Sequence, residues 1–201
     1  MSGSGNRPQL VLDAGGVLVD NITSFWQELA RRSGVDYEQV RLSYKRDLRE
    51  SLWTGELPES AFWDWIAAHY PTDGEPVSRK KMLEAIVPLP AMNRLAAWSK
   101  YADLHLLSNH RHEWLLPVLK PVEPLFASMT ISSTAGCCKP DARIYQSVHD
   151  RIYRDGVVIW FVDDQQANLR QSSALGWRPI LADPDGAWIE EVEAVLAAEK
   201  R

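Results

Sequence analysis

One stretch near the N-terminus decides the fold, Leu10-Val-Leu-Asp13-Ala-Gly15-Gly16-Val-Leu18. The apolar residues before the aspartate are continuous rather than alternating, which is typical of a parallel strand covered on both faces. The two glycines have no Cβ, so the backbone beside Asp13 can approach a ligand closely. Asp-x-Gly also begins many ordinary turns, so this stretch alone predicts only a buried strand that ends in a carboxylate.

Further apolar runs repeat the pattern along the chain. The predicted strands are Gln9–Leu12 (running on through Val17–Val19), Leu104–Leu107, Met129–Ser132, Val157–Val162 and a weaker one at Pro179–Leu181. Helical patterns alternate with them at Ala91–Lys100, Asp141–Arg151 and Gln165–Leu175. Alternation of strands with helices predicts a doubly wound α/β domain with a parallel sheet, a Rossmann-like architecture.

The first connection departs from this rhythm. Residues 21–88 show only helical patterns, with Asp36 able to cap a helix running to Leu52, Pro58 able to open a second and Ser78 a third. Active sites of α/β sheets lie at the carboxyl ends of the strands, which is where an insertion after the first strand begins. We therefore predict a core of residues 1–20 and 89–201 and a small helical cap, 21–88, that acts as a lid.

Composition narrows the class of protein. The 201 residues carry a formal net charge of -5, which gives no footprint for nucleic acid or for an anionic membrane. No apolar run approaches the roughly 20 residues of a membrane helix. The two cysteines, Cys137 and Cys138, are adjacent and form neither a staple nor a recognisable zinc site. These features predict a cytoplasmic protein, and nothing in them indicates an oligomeric state.

Polar residues follow the other predicted strands. Ser108 and Asn109 come after the second strand, Lys139 lies just before the helix that follows the third, and Asp163 and Asp164 end the fourth. Each segment alone has an ordinary structural explanation, a helix cap or a solvated loop. Two adjacent carboxylates are costly without a cation, so the last pair favours a divalent metal.

Taken together and in this order, the segments Asp-x-Gly-Gly-Val-Leu, Leu-Ser-Asn, Lys-Pro-Asp-x-x-Ile-Tyr and Asp-Asp-x-x-x-Asn resemble the haloacid dehalogenase (HAD) superfamily of hydrolases. They look like its branch of sugar-phosphate phosphatases with a small helical cap. The resemblance implies that Asp13 is the nucleophile and carries an aspartyl-phosphate intermediate. It implies that Ser108, Asn109 and Lys139 bind the phosphoryl group, and that Ser108 and Lys139 also take part in catalysis. A small phosphorylated metabolite, with sugar phosphates favoured, is the implied substrate.

The resemblance also implies a magnesium site. Mg²⁺ would be held by Asp13, by the backbone carbonyl of Gly15 and by Asp164. Asp163 would be either a further ligand, through water, or an anchor behind the ligands. Asn168 stands where such proteins commonly have a carboxylate, which makes the site less acidic.

Gly15 is a departure from most phosphatases of the superfamily. Those enzymes have a second aspartate at this position, which protonates the departing alkoxide and then activates water. General acid–base catalysis contributes roughly 10²–10⁴ in rate, so a glycine there predicts a preference for leaving groups that need little help. Two other functions stay open: a 2-haloacid dehalogenase, which needs neither acid nor metal, and a non-catalytic binding protein with the same fold.

Two further groups of residues each have a structural and a functional interpretation. His110, Arg111 and His112 are expected to form an exposed first helical turn, although a contact with substrate phosphate is open. The tryptophans of the predicted cap, Trp53, Trp63 and Trp65, are expected to be mostly core packing, with stacking on a sugar ring as the alternative.

Overall fold

The computed structural model describes residues 7–199 and contains one sheet of five parallel strands. The strands are β1 Gln9–Leu12, β2 Asp103–Ser108, β3 Phe126–Ile131, β4 Ile159–Asp163 and β5 Arg178–Leu181. They lie in the order β3-β2-β1-β4-β5, and Leu12 at the end of β1 is in register with Leu106 and Val162. The carboxyl ends of all five strands therefore meet at one edge, and the prediction of a doubly wound α/β fold is confirmed.

The hydrophobic run of β1 is explained by burial on both faces. Leu10 and Leu12 pack into one hydrophobic cluster and Val11 into a second cluster on the other side. The predicted extension of this strand to Val19 is wrong, because the chain turns after Asp13. The amides of Leu18 and Val19 both donate to the carbonyl of Ala14, at 2.8 and 2.9 Å. The turn keeps the glycine backbone at the sheet edge.

The helical insertion after β1 contains five α-helices. They are α1 Thr23–Ser33, α2 Tyr37–Asp47, α3 Arg49–Trp53, α4 Glu59–His69 and α5 Glu75–Glu84. Asp36 caps α2 as predicted, accepting from the amides of Glu38 and Gln39. The predicted single helix from Asp36 to Leu52 is wrong, since Leu48 (φ -133°) breaks it into α2 and α3. The third predicted helix begins at Glu75 rather than at Ser78.

Both ends of this helical insertion are fixed side by side. The amide of Asp20 donates to the carbonyl of Val87 at 2.9 Å, and the amide of Leu89 donates to the carbonyl of Leu18 at 2.8 Å. The insertion therefore leaves and rejoins the sheet at its carboxyl edge. The division into a core of 1–20 and 89–201 and a cap of 21–88 stays a prediction, and residues 1–6, 200 and 201 of that core lie outside the described residues.

The remaining helices surround the sheet. They are α6 Leu95–Trp98, preceded by a 3-10 turn at Pro90–Arg94, then α7 His112–Leu119, α8 Ser132–Ala135, α9 Ala142–Ile152, α10 Gln166–Ser173 and α11 Ala187–Ala198, with a short 3-10 turn at Glu123–Leu125. The predicted helix Ala91–Lys100 is thus partly 3-10. The third predicted strand lies three residues earlier and ends before Ser132, which begins α8. Among residues 7–199, no helix is both long enough and apolar enough to cross a membrane.

The insertion is held on the sheet edge by three kinds of contact. The ring of Trp114 in α7 packs against that of Phe62 in α4, at 5.2 Å between centroids. The Arg111 guanidinium donates to the carbonyl of Leu57 at 2.7 Å. Gly55 (φ +79°) comes so close to the core that an added Cβ would lie 2.2 Å from the Ser133 carbonyl oxygen. Only glycine meets both requirements of that position, the left-handed backbone and the close approach.

Candidate active site

A cavity of about 420 Å³ lies between the carboxyl edge of the sheet and the insertion. The core contributes Asp13, Gly15, Asn109, Lys139 and Asp164 to its wall, among other residues. Ser108 and Asp163 lie directly beneath and are 1% and 0% exposed. The structure thus brings every sequence-predicted site residue to one place, although the roles assigned to them stay predictions.

Two carboxylates share one buried lysine at the floor of the cavity. The Lys139 ammonium lies 2.8 Å from Asp13 and 2.6 Å from Asp163, and its side chain is 0% exposed. Burial alone would lower the pKa of Lys139, but these carboxylates raise it above its ordinary value. Lys139 is therefore held as a cation. Burial raises the pKa of Asp13, and the charge of Lys139 opposes this rise.

Asp163 is an anchor for its neighbours. Its oxygens accept from Lys139, from the Asn168 amide group at 2.9 and 3.1 Å, and from the Gln165 backbone amide at 2.8 Å. This arrangement favours the second of the two roles predicted for Asp163, because little of the carboxylate is left for a metal. It also explains Asn168: an amide can donate to Asp163 here, whereas a second carboxylate would repel it.

Asp164 differs from Asp163 in having an oxygen without a partner. Its Oδ1 is buried and accepts no hydrogen bond, while its Oδ2 accepts from the Asn21 amide at 3.2 Å. Burial raises the pKa of Asp164, and the charge of Asp163 adds to the rise. A buried carboxylate oxygen without a donor is costly unless a cation satisfies it.

The donor set fits a divalent cation with oxygen ligands. Oxygens of Asp13, Asp163 and Asp164 all lie within 4.8 Å of one another. Three carboxylates against the single ammonium of Lys139 leave a formal charge of -2, which one divalent cation neutralises. Carboxylate and carbonyl oxygens are the ligands that Mg²⁺ prefers. Asp13, whose oxygens each have one hydrogen-bond donor, and Asp164 are the side chains that can supply them, because each oxygen of Asp163 already has two donors.

Ser108 and Asn109 are placed differently from each other. The Ser108 hydroxyl is buried and has no hydrogen-bond partner, so it is ready for an oxygen-rich ligand above it. The Asn109 carboxamide is engaged at both ends with the backbone of Lys139, donating to its carbonyl at 2.8 Å and accepting from its amide at 2.7 Å. The Asn109 side chain therefore positions the lysine loop.

The expectation of an exposed turn at residues 110–112 is wrong for two of the three residues. His110 and Arg111 are 7% and 8% exposed, and only His112 lies on the surface. His110 lines the cavity, where burial lowers its pKa to about 4. It is thus neutral at ordinary pH and a poor proton donor. His112 is not among the residues of the cavity wall.

The cap tryptophans follow the packing expectation. Trp63 and Trp65 are 3% and 9% exposed, and both belong to the hydrophobic core. Trp53 is half-buried, lines the cavity and packs its ring 5.3 Å from that of His110. Of the three, Trp53 alone is placed to meet a ligand.

Asn21 is a site residue that sequence reasoning missed. A Cβ built on Gly15 would lie 2.4 Å from the Oδ1 of Asn21, so this carboxamide fills the space where a side chain at position 15 would project. The same carboxamide donates to Asp164. The quoted stretch ends at Leu18 and therefore does not include Asn21. The signal is a polar residue just after the turn that follows the glycines.

Comparison with known proteins gives the fold a name. No protein-family model matches the chain, and no curated protein sequence matches it at a significant level. Among solved structures, a predicted HAD-like family hydrolase from Porphyromonas gingivalis superposes with a TM-score of 0.76 at 19% identity, over 94% of this chain and 98% of that one. The chain has the HAD-like hydrolase fold.

Other proteins with the HAD-like fold differ in what they bind. A HAD family enzyme from Bacteroides thetaiotaomicron, solved with magnesium and inorganic phosphate, matches at 19% identity with a TM-score of 0.67, over 88% of this chain and 94% of that one. An L-2-haloacid dehalogenase from Xanthobacter autotrophicus, solved with chloropropionic acid covalently bound, matches at 16% identity with a TM-score of 0.60, over 86% and 76%. At these identities the likeness shows the fold alone.

Proposed function

We propose that this protein is a magnesium-dependent phosphatase of a small phosphorylated metabolite, with a sugar phosphate favoured, acting in the cytoplasm through an aspartyl-phosphate at Asp13. The observation that carries the proposal is the cluster of three carboxylates, which is balanced by a single buried lysine and opens into the cavity. A site with a formal charge of -2 is suited to a divalent cation, and phosphoryl transfer depends chiefly on such electrostatic stabilisation.

The contacts of the site residues support the following roles. Asp13 attacks phosphorus, and the bond to the leaving oxygen breaks as the new P–O bond forms. Lys139, held protonated between two carboxylates, attracts the equatorial phosphoryl oxygens and favours the ionised form of Asp13 against the effect of burial. The unpartnered hydroxyl of Ser108 donates to one of those oxygens. Water then attacks phosphorus and regenerates Asp13.

Asp13, Asp164 and the Gly15 carbonyl would hold Mg²⁺, which supplies positive charge beside the transferring group when it is bound. Asp163 keeps Lys139 in place and does not need to bind the ion. Asn21 holds one oxygen of Asp164 and leaves the other, unpartnered one free for the site.

Dehalogenation at carbon is the alternative that a specific observation favours. Gly15 offers no acid, and halide needs none as a leaving group; a dehalogenase is also among the proteins that share the fold. The same chemistry has no use for a pair of carboxylates that need a cation, and this weighs against it. A non-catalytic binding protein is the third possibility, and the retention of nucleophile, lysine and acidic cluster weighs against that.

One assay separates the three functions. Release of 4-nitrophenol from 4-nitrophenyl phosphate is measured with Mg²⁺ and with excess chelator, beside release of chloride from 2-chloropropionate. A phosphatase gives activity on the aryl phosphate that chelator abolishes. Chelator-resistant chloride release establishes the dehalogenase instead, and no turnover of either compound favours the binding protein. A panel of sugar phosphates then ranks the substrates of an active phosphatase.

A further inference from the structure

The helical insertion contributes cationic residues to the wall of the cavity that Asp13 also lines. Arg41, Lys45 and Arg49 lie four residues apart on α2 and the start of α3, and all three line the cavity. Arg41 and Lys45 are on the same helix, where like charges at this spacing repel each other, so the arrangement does not help the helix to form. We call these three residues the cationic stripe.

Glu50 lines a neighbouring cavity with Lys45 and Arg49, but within residues 7–199 no acid forms an ion pair with the cationic stripe. Among the ion pairs of residues 7–199, none includes Arg41, Lys45 or Arg49. The neighbouring Arg46 on the same helix does pair with Asp47, at 2.6 Å, and lies outside the cavity. The acids of the cavity wall, Asp13, Asp20 and Asp164, all precede or follow the insertion in the chain.

The first member of the stripe is held in place by aromatic rings. The Arg41 guanidinium lies 5.0 Å from the ring centroid of Trp26 and 5.8 Å from that of Tyr44. Both rings are 2% exposed, so they form a rigid base. A guanidinium stacked in this way keeps its N–H edge free for a planar anion.

The floor and the cationic stripe are suited to different groups of a bound molecule. The floor, with Lys139 and the metal-fitting acids, is suited to the phosphoryl group that reacts. The stripe lines the same cavity from the insertion, and a volume of about 420 Å³ has room for only a small molecule that contacts both. A group at the far end of that molecule meets two guanidinium ions and an ammonium, whose preferred partners are carboxylates and phosphates.

We infer that the substrates carry a second anionic group, a carboxylate or a second phosphate, which Arg41 and Arg49 bind while Lys45 attracts it at the exposed rim. The inference rests on the proposed phosphatase function and narrows its substrate class from phosphate monoesters in general to doubly anionic ones.

Matched substrate pairs test the inference. The specificity constant kcat/KM is measured for phosphoglycolate and divided by the same constant for ethyl phosphate. The second pair is a hexose 1,6-bisphosphate and the corresponding hexose 1-phosphate. Because charged hydrogen bonds contribute about 1.5–3 kcal/mol each, we expect at least one ratio to exceed about ten in the wild type and to fall about ten-fold in Arg41→Gln and Arg49→Gln. The first ratio identifies a carboxylate, the second a phosphate.

Arg46→Gln is the matched control, since it removes the same charge from the same helix outside the cavity. Its ratios stay at the wild-type values. Arg49 is not stacked on a ring in the way that Arg41 is, so its variant keeps the test valid if loss of Arg41 disturbs the fold; thermal unfolding monitors both. Ratios near one in the wild type, or equal ratios in Arg46→Gln and the two stripe variants, overturn the inference.

Failure of the proposed function is recognised separately. If neither ethyl phosphate nor 4-nitrophenyl phosphate is hydrolysed in Mg²⁺, the phosphatase proposal fails, and calorimetric binding of phosphoglycolate and of the bisphosphate then tests the stripe alone. Binding weakened about ten-fold in Arg41→Gln and Arg49→Gln but not in Arg46→Gln upholds an anion site. Equal binding by all three variants overturns it.

Discussion

Replacement of Gly15 by aspartate is the most direct test of the proposed chemistry. The Cβ of the new residue would lie 2.4 Å from Oδ1 and 3.5 Å from Cγ of Asn21, so the Asn21 carboxamide must rotate away. This residue is exposed, and its displacement gives up one 3.2 Å hydrogen bond to Asp164, which is worth about 1 kcal/mol. Gly15 does not have the positive φ of its neighbour Gly16, so no backbone strain is added. We expect a folded variant that is about 1 kcal/mol less stable.

The catalytic consequence is larger than the structural one. A carboxylic acid at position 15 can protonate a departing alkoxide, and general acid catalysis is worth roughly 10²–10⁴ in rate. We therefore expect Gly15→Asp to raise kcat/KM for a primary alkyl phosphate by about 10²-fold, the lower end of that range. The gain for 4-nitrophenyl phosphate is much smaller, because its leaving group departs as a weak base without a proton.

The assay is a series of phosphate monoesters whose leaving groups differ in basicity, followed under single-turnover conditions so that hydrolysis of the aspartyl-phosphate does not mask the first step. The wild type is expected to show a steep fall in rate with rising leaving-group pKa, and Gly15→Asp a shallow one. Gly15→Asn is the control of equal size without an acid. A flat dependence in the wild type would show that another group already donates the proton. A slope unchanged in folded Gly15→Asp would refute the assignment of position 15 to leaving-group protonation.

Three further predictions concern the same floor and the core beside it. Asp13→Asn is expected to reduce 4-nitrophenyl phosphate turnover by several orders of magnitude. It also takes one of two charged partners from the buried Lys139, so some loss of stability is expected; a folded variant that keeps more than a few per cent of activity contradicts the nucleophile assignment. Asp164→Ala is expected to weaken Mg²⁺ binding in calorimetry more than Asp163→Ala does. Asp163→Ala is expected to lower the free energy of unfolding by about 3 kcal/mol, because it takes a partner from a buried lysine. Weaker Mg²⁺ binding in Asp163→Ala than in Asp164→Ala contradicts this division of roles. Burial lowers the pKa of His105 from 6.5 to about 4. As pH falls, the unfolded chain therefore binds the proton before the folded one, and about 3 kcal/mol of the stability present above pH 6.5 is lost by pH 4. Chemical denaturation from pH 7 to pH 4 should show a shallower loss in His105→Gln, and an identical loss would mean that His105 does not titrate in this way.

The parallel sheet and the gathering of the site could be predicted from local patterns. The run before Asp13 is continuous because Leu10 and Val11 face different hydrophobic clusters, and this double burial is what indicates a parallel sheet. Once the sheet is parallel, the carboxyl ends of its strands must lie together. Residues as distant in the chain as Asp13 and Lys139 are then brought within hydrogen-bond distance without any pairwise information.

What could not be predicted depends on side chains reaching across space. Asn21 fills the space above Gly15 because the chain turns between them. The hydrophobic periodicity of a sequence does not show where the chain lies after a turn. Arg111 is buried because the insertion offers it backbone carbonyls, as at Leu57, although its sequence neighbours suggest an exposed loop. The helix after Asp36 breaks at Leu48, where the residues themselves contain neither glycine nor proline.

The backbone hydrogen bonds at the base of the insertion separate two groups of functional residues. Residues 20 and 87, and 18 and 89, are joined by single peptide hydrogen bonds, so the seam between the insertion and the sheet is only one residue wide on each side. Nucleophile, lysine and acidic cluster all lie outside this seam, and the cationic stripe lies inside it. Exchange of residues 21–88 at these two points would replace the cationic stripe, and Asn21 with it, while Asp13, Lys139 and the acidic cluster stay in place. A different insertion at this junction would therefore change substrate specificity while the catalytic residues stay the same. An engineered insertion at the same junction must also supply partners for Arg111 and Trp114.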